Sequence, residues 1–214
     1  MKIVFIDSGM GVLPFIKEIL IQKKYNHYIF YLDEENFPYG NKNHEEIFLC
    51  YKNVINKVKL YNPDKIFIAC NTLSTFKDDD SIDDILSYNI KKNINHSYFI
   101  STKLTAAYLK SKNINNVIAM HDLAYFIETK KIKEIIELLK NTRFPHSIIL
   151  ACTHYPLIKE LFIRYAKCEV LSYENEIISH YDNNHKLIID FVSNKKEKYM
   201  SYFSNLNINF ISTS

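Results

Sequence analysis

Two segments of the chain carry the same pattern. Ile66-Phe67-Ile68-Ala69-Cys70-Asn71-Thr72 is echoed by Ile148-Ile149-Leu150-Ala151-Cys152-Thr153-His154. In each, an apolar run rich in β-branched residues ends in Ala-Cys and gives way to small polar groups and then a helical stretch. A run that is apolar throughout is buried on both faces, which is how strands of a helix-covered parallel sheet read. Further short runs lie at residues 2–6, 28–32, 65–69, 98–101, 116–119, 147–151 and 169–171. They alternate with amphipathic stretches starting near Val12, Asn43, Ile82, Leu104, Ile132, Pro156 and Asn175. This alternation predicts an α/β fold of two similar domains, each a parallel-type sheet flanked by helices, with the active site in the interdomain cleft.

The first domain is assigned residues 1–94 plus 184–214 and the second 95–183. The polar, Lys- and Asn-rich link at 90–96 makes the crossing, and after Asp182-Asn183-Asn184 a C-terminal helix returns to the first half. In the stretch from Asn43 to Leu60, Ile47, Phe48, Tyr51, Val54, Ile55 and Val58 recur at helical spacing. Cys50 there reads as an ordinary core or surface residue.

Composition narrows the function classes. With 214 residues and 47% hydrophobic content the chain can bury one large core or two small ones. Its net charge of +3 comes from dispersed doublets that never build a basic block, so nucleic acid is not an expected partner. The 16 Tyr and 14 Phe fall at helix or strand spacing among aliphatics and read as core. No apolar run approaches the roughly 18 residues of a spanning helix, and Ile3-Val4-Phe5-Ile6 stops at Asp7, too soon for a signal peptide. The expectation is a cytoplasmic protein without membrane contact.

The four cysteines form no C-x-x-C pair, the eight histidines show no H-E-x-x-H spacing, and Cys152-Thr153-His154 lacks a second ligand cluster. No metal site is expected.

Glycine is scarce. The chain has three, Gly9, Gly11 and Gly40, where average usage predicts roughly fifteen. The bias toward Lys, Asn and Ile looks like codon-level pressure, so each surviving glycine serves a backbone need, either positive φ or close approach to another group.

A cysteine at a strand end that opens a helix meets unpaired backbone N–H groups and the positive end of the helix dipole. Both lower a thiol pKa, and the same donors bind carboxylates. Two such cysteines in matching contexts suit a reaction that removes a proton from one face of a carbon and returns one to the other. A disulfide exchanger would need adjacent sulfurs, and nothing in the sequence places them so.

Asp7-Ser8-Gly9-Met10-Gly11, Phe37-Pro38-Tyr39-Gly40, Ala69-Cys70-Asn71-Thr72 and Ala151-Cys152-Thr153-His154-Tyr155-Pro156-Leu157 resemble, in order, four signature segments of the glutamate racemases in the aspartate/glutamate racemase superfamily. The resemblance spans nearly the whole chain. It implies a cofactor-independent isomerase that interconverts L- and D-glutamate for peptidoglycan, and so for cell-wall biogenesis and cell shape, and it admits a homodimer. Cys70 and Cys152 then look like the two catalytic acid/bases flanking the substrate Cα. Asp7 would assist Cys70, His154 would assist Cys152, and Glu128 resembles a further auxiliary carboxylate. Ser8, Tyr39, Gly40, Asn71, Thr72 and Thr153 would hold the substrate's carboxylates and amine. For Asp7 and His154 the residues alone leave helix capping or packing equally open.

The chain departs from the family pattern at Gly11-Val12, where Gly-Gly is usual, at Leu32-Asp33-Glu34, where Gly-Asp-Thr is usual, and at Ser172-Tyr173, where Asp-Ser is usual. It is also shorter than most members by several tens of residues, chiefly between Thr72 and Ser101 and between Thr105 and Cys152. Three alternatives stay open: a racemase for another acidic amino acid such as aspartate, an inactive or regulatory amino-acid-binding protein on the same fold, and a dinucleotide site at Gly9-x-Gly11. Against the last, Pro14 replaces the third glycine and Asp7 would face the pyrophosphate.

Overall fold

The computed structural model describes residues 1–93, 96–184, 186–203, 206 and 208–212. Its strands are β1 (Lys2–Asp7), β2 (His27–Leu32), β3 (Lys65–Ile68), β4 (Asp83–Asp84), β5 (Tyr98–Ser101), β6 (Val117–Ala119), β7 (Ser147–Ala151), β8 (Glu169–Leu171), β9 (Ile188–Val192) and β10 (Asn209–Ile211). They form two sheets, one ordered β10-β9-β2-β1-β3-β4 and the other β6-β5-β7-β8. Every recorded pairing in both is parallel. The α/β class and the helix-flanked parallel sheets are as the sequence predicts.

The strand pattern explains the layers. In β1, Ile3, Val4, Phe5 and Ile6 are fully buried. Ile3 and Phe5 enter one core with Phe15 of the helix Leu13–Ile21, whereas Val4 and Ile6 enter another with Tyr51, Val54 and Val58 of the helix His44–Lys59. Alternate side chains thus serve opposite faces, each covered by a helix. The second sheet sends Ile100, Ile148 and Leu150 toward Ile135, Leu139 and Phe162. Its other face, through Phe99, Ile149 and Ala151, joins the core that holds Phe5 and Phe67. The two sheets therefore share one apolar cluster, which fixes the cleft between them.

Local signals set the helix starts. Asn43 accepts from the Glu46 N–H at 3.0 Å while Glu46 accepts from the Asn43 N–H at 2.8 Å, a reciprocal cap that begins the helix His44–Lys59. The stretch expected to start near Ile82 instead begins at Ile85, because Asp83 and Asp84 first pair with Phe67 and Ile68 as an edge strand. Asp84 then caps that helix by accepting from the Ser87 N–H at 2.7 Å.

The expected C-terminal helical return is corrected. The chain comes back to the first sheet as β9 alongside β2 and β10 alongside β9, and among the described residues there the helix is Lys196–Met200. Ile189, Phe191 and Val192 are buried and complete the sheet, a use of the apolar run that outweighs the surrounding polar residues. The crossing placed at 90–96 includes residues 94 and 95, which lie outside the described residues.

Among the described residues seven non-glycines, Lys23, Asn62, His96, Asn113, Asp122, Lys130 and Lys167, adopt positive φ, and no glycine does. Among the described residues no helix is long and apolar enough to cross a membrane.

Phe5 is the hub of the shared core. Its ring centroid lies 5.3 Å from Phe15, 6.2 Å from Tyr28, 5.3 Å from Phe30, 5.2 Å from Phe67 and 6.0 Å from Tyr181. Phe5→Ala is expected to lower the free energy of unfolding by about 3–5 kcal/mol, read as a reduced midpoint in urea denaturation.

Candidate active site

In each sheet the chain moves outward in one direction and then crosses back to the other side of its first strand. The reversal falls between β1 and β3 in the first sheet and between β5 and β7 in the second. Open α/β sheets bind ligands outside the carboxyl ends of the strands at such a reversal. Asp7 ends β1 and Ser8 follows it, Cys70 follows β3, Thr102 follows β5 and Cys152 follows β7. The duplicated Ala-Cys motif thus places one thiol at each reversal.

A small cavity, part of it open to solvent, lies between these ends. Cys70 and Cys152 both line it, as do Ser8, Tyr39, Gly40, Asn71, Thr72, Thr153 and His154. Asp7 and Glu128 stand behind this lining. Asn71 Oδ1 accepts from Asn89 Nδ2 at 3.2 Å, while its own Nδ2 is buried without a hydrogen-bond partner among the described residues. A buried orphan donor on a cavity wall is suited to a ligand carboxylate.

Asp7 is fully buried. Its Oδ1 accepts from the Ser8 N–H at 2.6 Å, and it caps no helix. Burial raises its pKa, against the opposing pull of His154, Thr153 and the Ser8 N–H. The Cys70 thiol is likewise raised, first by burial and then by the Asp7 charge, and the Leu73 and Thr72 N–H groups do not offset this. The lowered thiol pKa expected from a helix terminus is therefore corrected at Cys70. The helix it opens, Asn71–Ser74, is a single turn, too short to outweigh desolvation. After Cys152 there is a 3-10 turn, Tyr155–Ile158, and the α-helix starts only at Lys159.

The second half is polarised oppositely. His154 Nε2 meets Glu128 Oε2 at 2.6 Å with both side chains buried. Burial opposes the imidazolium, but Cys152 and Glu128 outweigh it and hold His154 up to about 10. Glu128 is destabilised by burial, yet His154 and Lys198 bring it down to about 2. Its carboxylate also accepts from the Met10 N–H at 3.1 Å and pairs with the Lys198 ammonium. His154 is thus a buried cation beside Cys152, with the Phe37 ring 5.3 Å away.

The three glycines share one role. A Cβ on Gly9 would lie 2.8 Å from Glu128 Oε2, one on Gly11 would overlap Thr153 Oγ1 and Asp7 Oδ2, and one on Gly40 would come within 3.1 Å of Thr102 Cβ. Each marks a loop from the first sheet pressed against a side chain from the second. Close approach, not positive φ, is the backbone need. A Gly9-x-Gly11 loop facing carboxylates is also a poor seat for a pyrophosphate.

The cavity wall includes residues that the motifs did not single out, among them Thr102, Lys103, Met120, His121, Asp122 and Tyr125. Thr102 was accessible to the strand-end rule, since it follows β5 as Ser8 follows β1. Lys198 and Glu34, which extend the charged network behind the cavity, carry no spacing signal.

No protein-family model matches the chain. Among curated relatives, the glutamate racemase of Buchnera aphidicola is 33% identical over 190 residues, spanning 72% of this chain and 71% of that protein. The glutamate racemase of Fusobacterium nucleatum is 30% identical over 210 residues, spanning 83% and 78%. Among solved structures, a Bacillus anthracis glutamate racemase isoform aligns with a TM-score of 0.79 at 18% identity, covering 99% of this chain and 97% of the other. The Francisella tularensis glutamate racemase in complex with D-glutamate aligns with a TM-score of 0.77 at 18% identity, covering 100% and 97%.

The buried pair makes stability depend on pH. His154 binds its proton more tightly folded than unfolded, so its contribution is complete below about 6.5 and is lost as pH rises through about 10. Between those limits wild type should lose at least about 1 kcal/mol more than His154→Asn, measured by urea unfolding at pH 6, 8 and 10.

Proposed function

The chain belongs to the glutamate racemase family, and on that premise we propose that it interconverts L- and D-glutamate by proton transfer at Cα between Cys70 and Cys152. The observation that carries this reading is the placement of both thiols on one small cavity, each at the chain reversal of its own sheet. One sulfur, as thiolate, takes the Cα proton. The other thiol then delivers its proton to the opposite face, and in the reverse reaction the roles exchange. One proton leaves the carbon and one returns, so no cofactor is needed in the balance.

The Cα proton of an amino acid is far less acidic than a thiol, so the developing negative charge needs donors already in place. Asn71 Nδ2, unpartnered in the free protein, fits this task with the Thr72 and Thr153 hydroxyls. Ser8, Tyr39 and Gly40 complete the walls that would hold the substrate's charged groups. The substrate ammonium, placed near Asp7, would offset the carboxylate charge that, after burial, raises the Cys70 thiol. Asp7 then serves Cys70 and the His154–Glu128 pair serves Cys152. The product D-glutamate would supply peptidoglycan synthesis in the cytoplasm.

The test is incubation with L- or D-glutamate in D₂O, followed by NMR and optical rotation. Deuterium should enter at Cα from either enantiomer and the rotation should decay to zero. Cys70→Ser and Cys152→Ser should each slow racemisation at least about 100-fold. Glutamate that binds without exchanging its Cα proton would sink the proposal in favour of a regulatory protein, and faster turnover of aspartate would overturn the substrate assignment.

A further inference from the structure

The helix Lys196–Met200 lies between β9 and β10, in the segment that returns to the first sheet. Tyr199 anchors it: the ring is fully buried, with its centroid 4.8 Å from that of Phe191, and its hydroxyl donates to Glu34 Oε1 at 2.7 Å. The preceding residue, Lys198, is carried to the back of the cavity wall. Its ammonium pairs with Glu128 Oε1 and lies 3.7 Å from Glu34 Oε1, while Glu128 Oε2 meets His154 and the Met10 N–H. Ser193 donates to the other oxygen of Glu34.

We propose that Lys198 is a positioning residue for the racemisation: it fixes the Glu128 carboxylate, in its charged form, behind His154. The inference rests on the racemase reading above and adds a residue to its machinery.

The charges alternate along the chain of contacts: imidazolium of His154, carboxylate of Glu128, ammonium of Lys198, carboxylate of Glu34. Asp7 and Cys152 face the same cluster from β1 and from the end of β7, and Tyr199 faces it from the helix itself. Each charged group is buried or partly buried and has an opposite neighbour in contact. Removing the ammonium leaves the Glu128 and Glu34 carboxylates without the cation they share, with Asp7 nearby. One carboxylate must then take up a proton more readily. If that carboxylate is Glu128, His154 loses its counter-ion and Cys152 loses a fixed cation beside its sulfur.

The experiment compares Lys198→Met, Lys198→Arg and Lys196→Met, the last an exposed lysine on the same helix. In Lys198→Met, kcat for glutamate should fall progressively as pH is lowered, reaching at least about tenfold below wild type at the acid edge of the activity range, with KM within about twofold. The acid limb of kcat should move up by about one pH unit or more. Lys198→Arg should restore wild-type behaviour within about threefold, and Lys196→Met should match wild type. Independently of turnover, the Glu128 carboxyl ¹³C signal should titrate at higher pH in Lys198→Met than in wild type. If Lys198→Met does not fold, Lys198→Gln carries the same comparison.

A fall in kcat that is uniform with pH, with the Glu128 signal unmoved, would mean that Lys198 only docks the helix and would overturn the inference. Wild-type protein that exchanges no Cα proton overturns the racemase reading instead, and that result is seen before any variant is compared.

Discussion

The buried ion pair between His154 and Glu128 sets the terms for the segments around it. Charges taken out of water are costly unless every lone pair and proton finds a partner, and no single element can supply them all. The loop after β1 contributes the Met10 N–H and must have no side chain at residue 9, where a Cβ would press on the carboxylate. The C-terminal segment contributes Lys198. Three stretches far apart in sequence are therefore tied to one pair of atoms, and that tie lies directly behind the cavity.

The two halves share a topology but not a polarity. Cys70 has the Asp7 carboxylate behind it, whereas Cys152 has an imidazolium. Enantiomers have equal free energy, so this asymmetry cannot favour either one at equilibrium. It can govern only how the barrier is divided between the two proton transfers.

Much of this was legible in sequence because it rests on local rules. Strands β5, β7 and β8 begin and end where their apolar runs do, and the helix at Asn43 begins at a capping pair written in the residues themselves. Each of the four segments quoted for the resemblance reaches the cavity wall, because strand ends, loops and reversals follow from chain order. What escaped was non-local. The pairing of Asp83–Asp84 and of 188–192 depends on which sheet edge is free, and the pattern of a short segment does not state that. The raised Cys70 thiol escaped for a related reason, since desolvation depends on everything packed around the sulfur, while the helix terminus that argued the other way is visible in four residues. Lys198 stands in an exposed-looking Lys/Glu stretch and only the fold brings it inward.

The left-handed positions carry a further consequence. Turns that most chains close with glycine are closed here by Lys23, Lys130 and Lys167, by His96, and by Asn62, Asn113 and Asp122. Each non-glycine residue in that region costs about 1 kcal/mol, less for Asn and Asp, against a total margin of only about 5–15 kcal/mol for a typical domain. Six of the seven lie away from the cavity wall. Glycine scarcity has thus been absorbed at the periphery, in robustness: a chain built this way has less room to accept further random substitutions before it unfolds, while the three contacts that need a bare backbone remain intact.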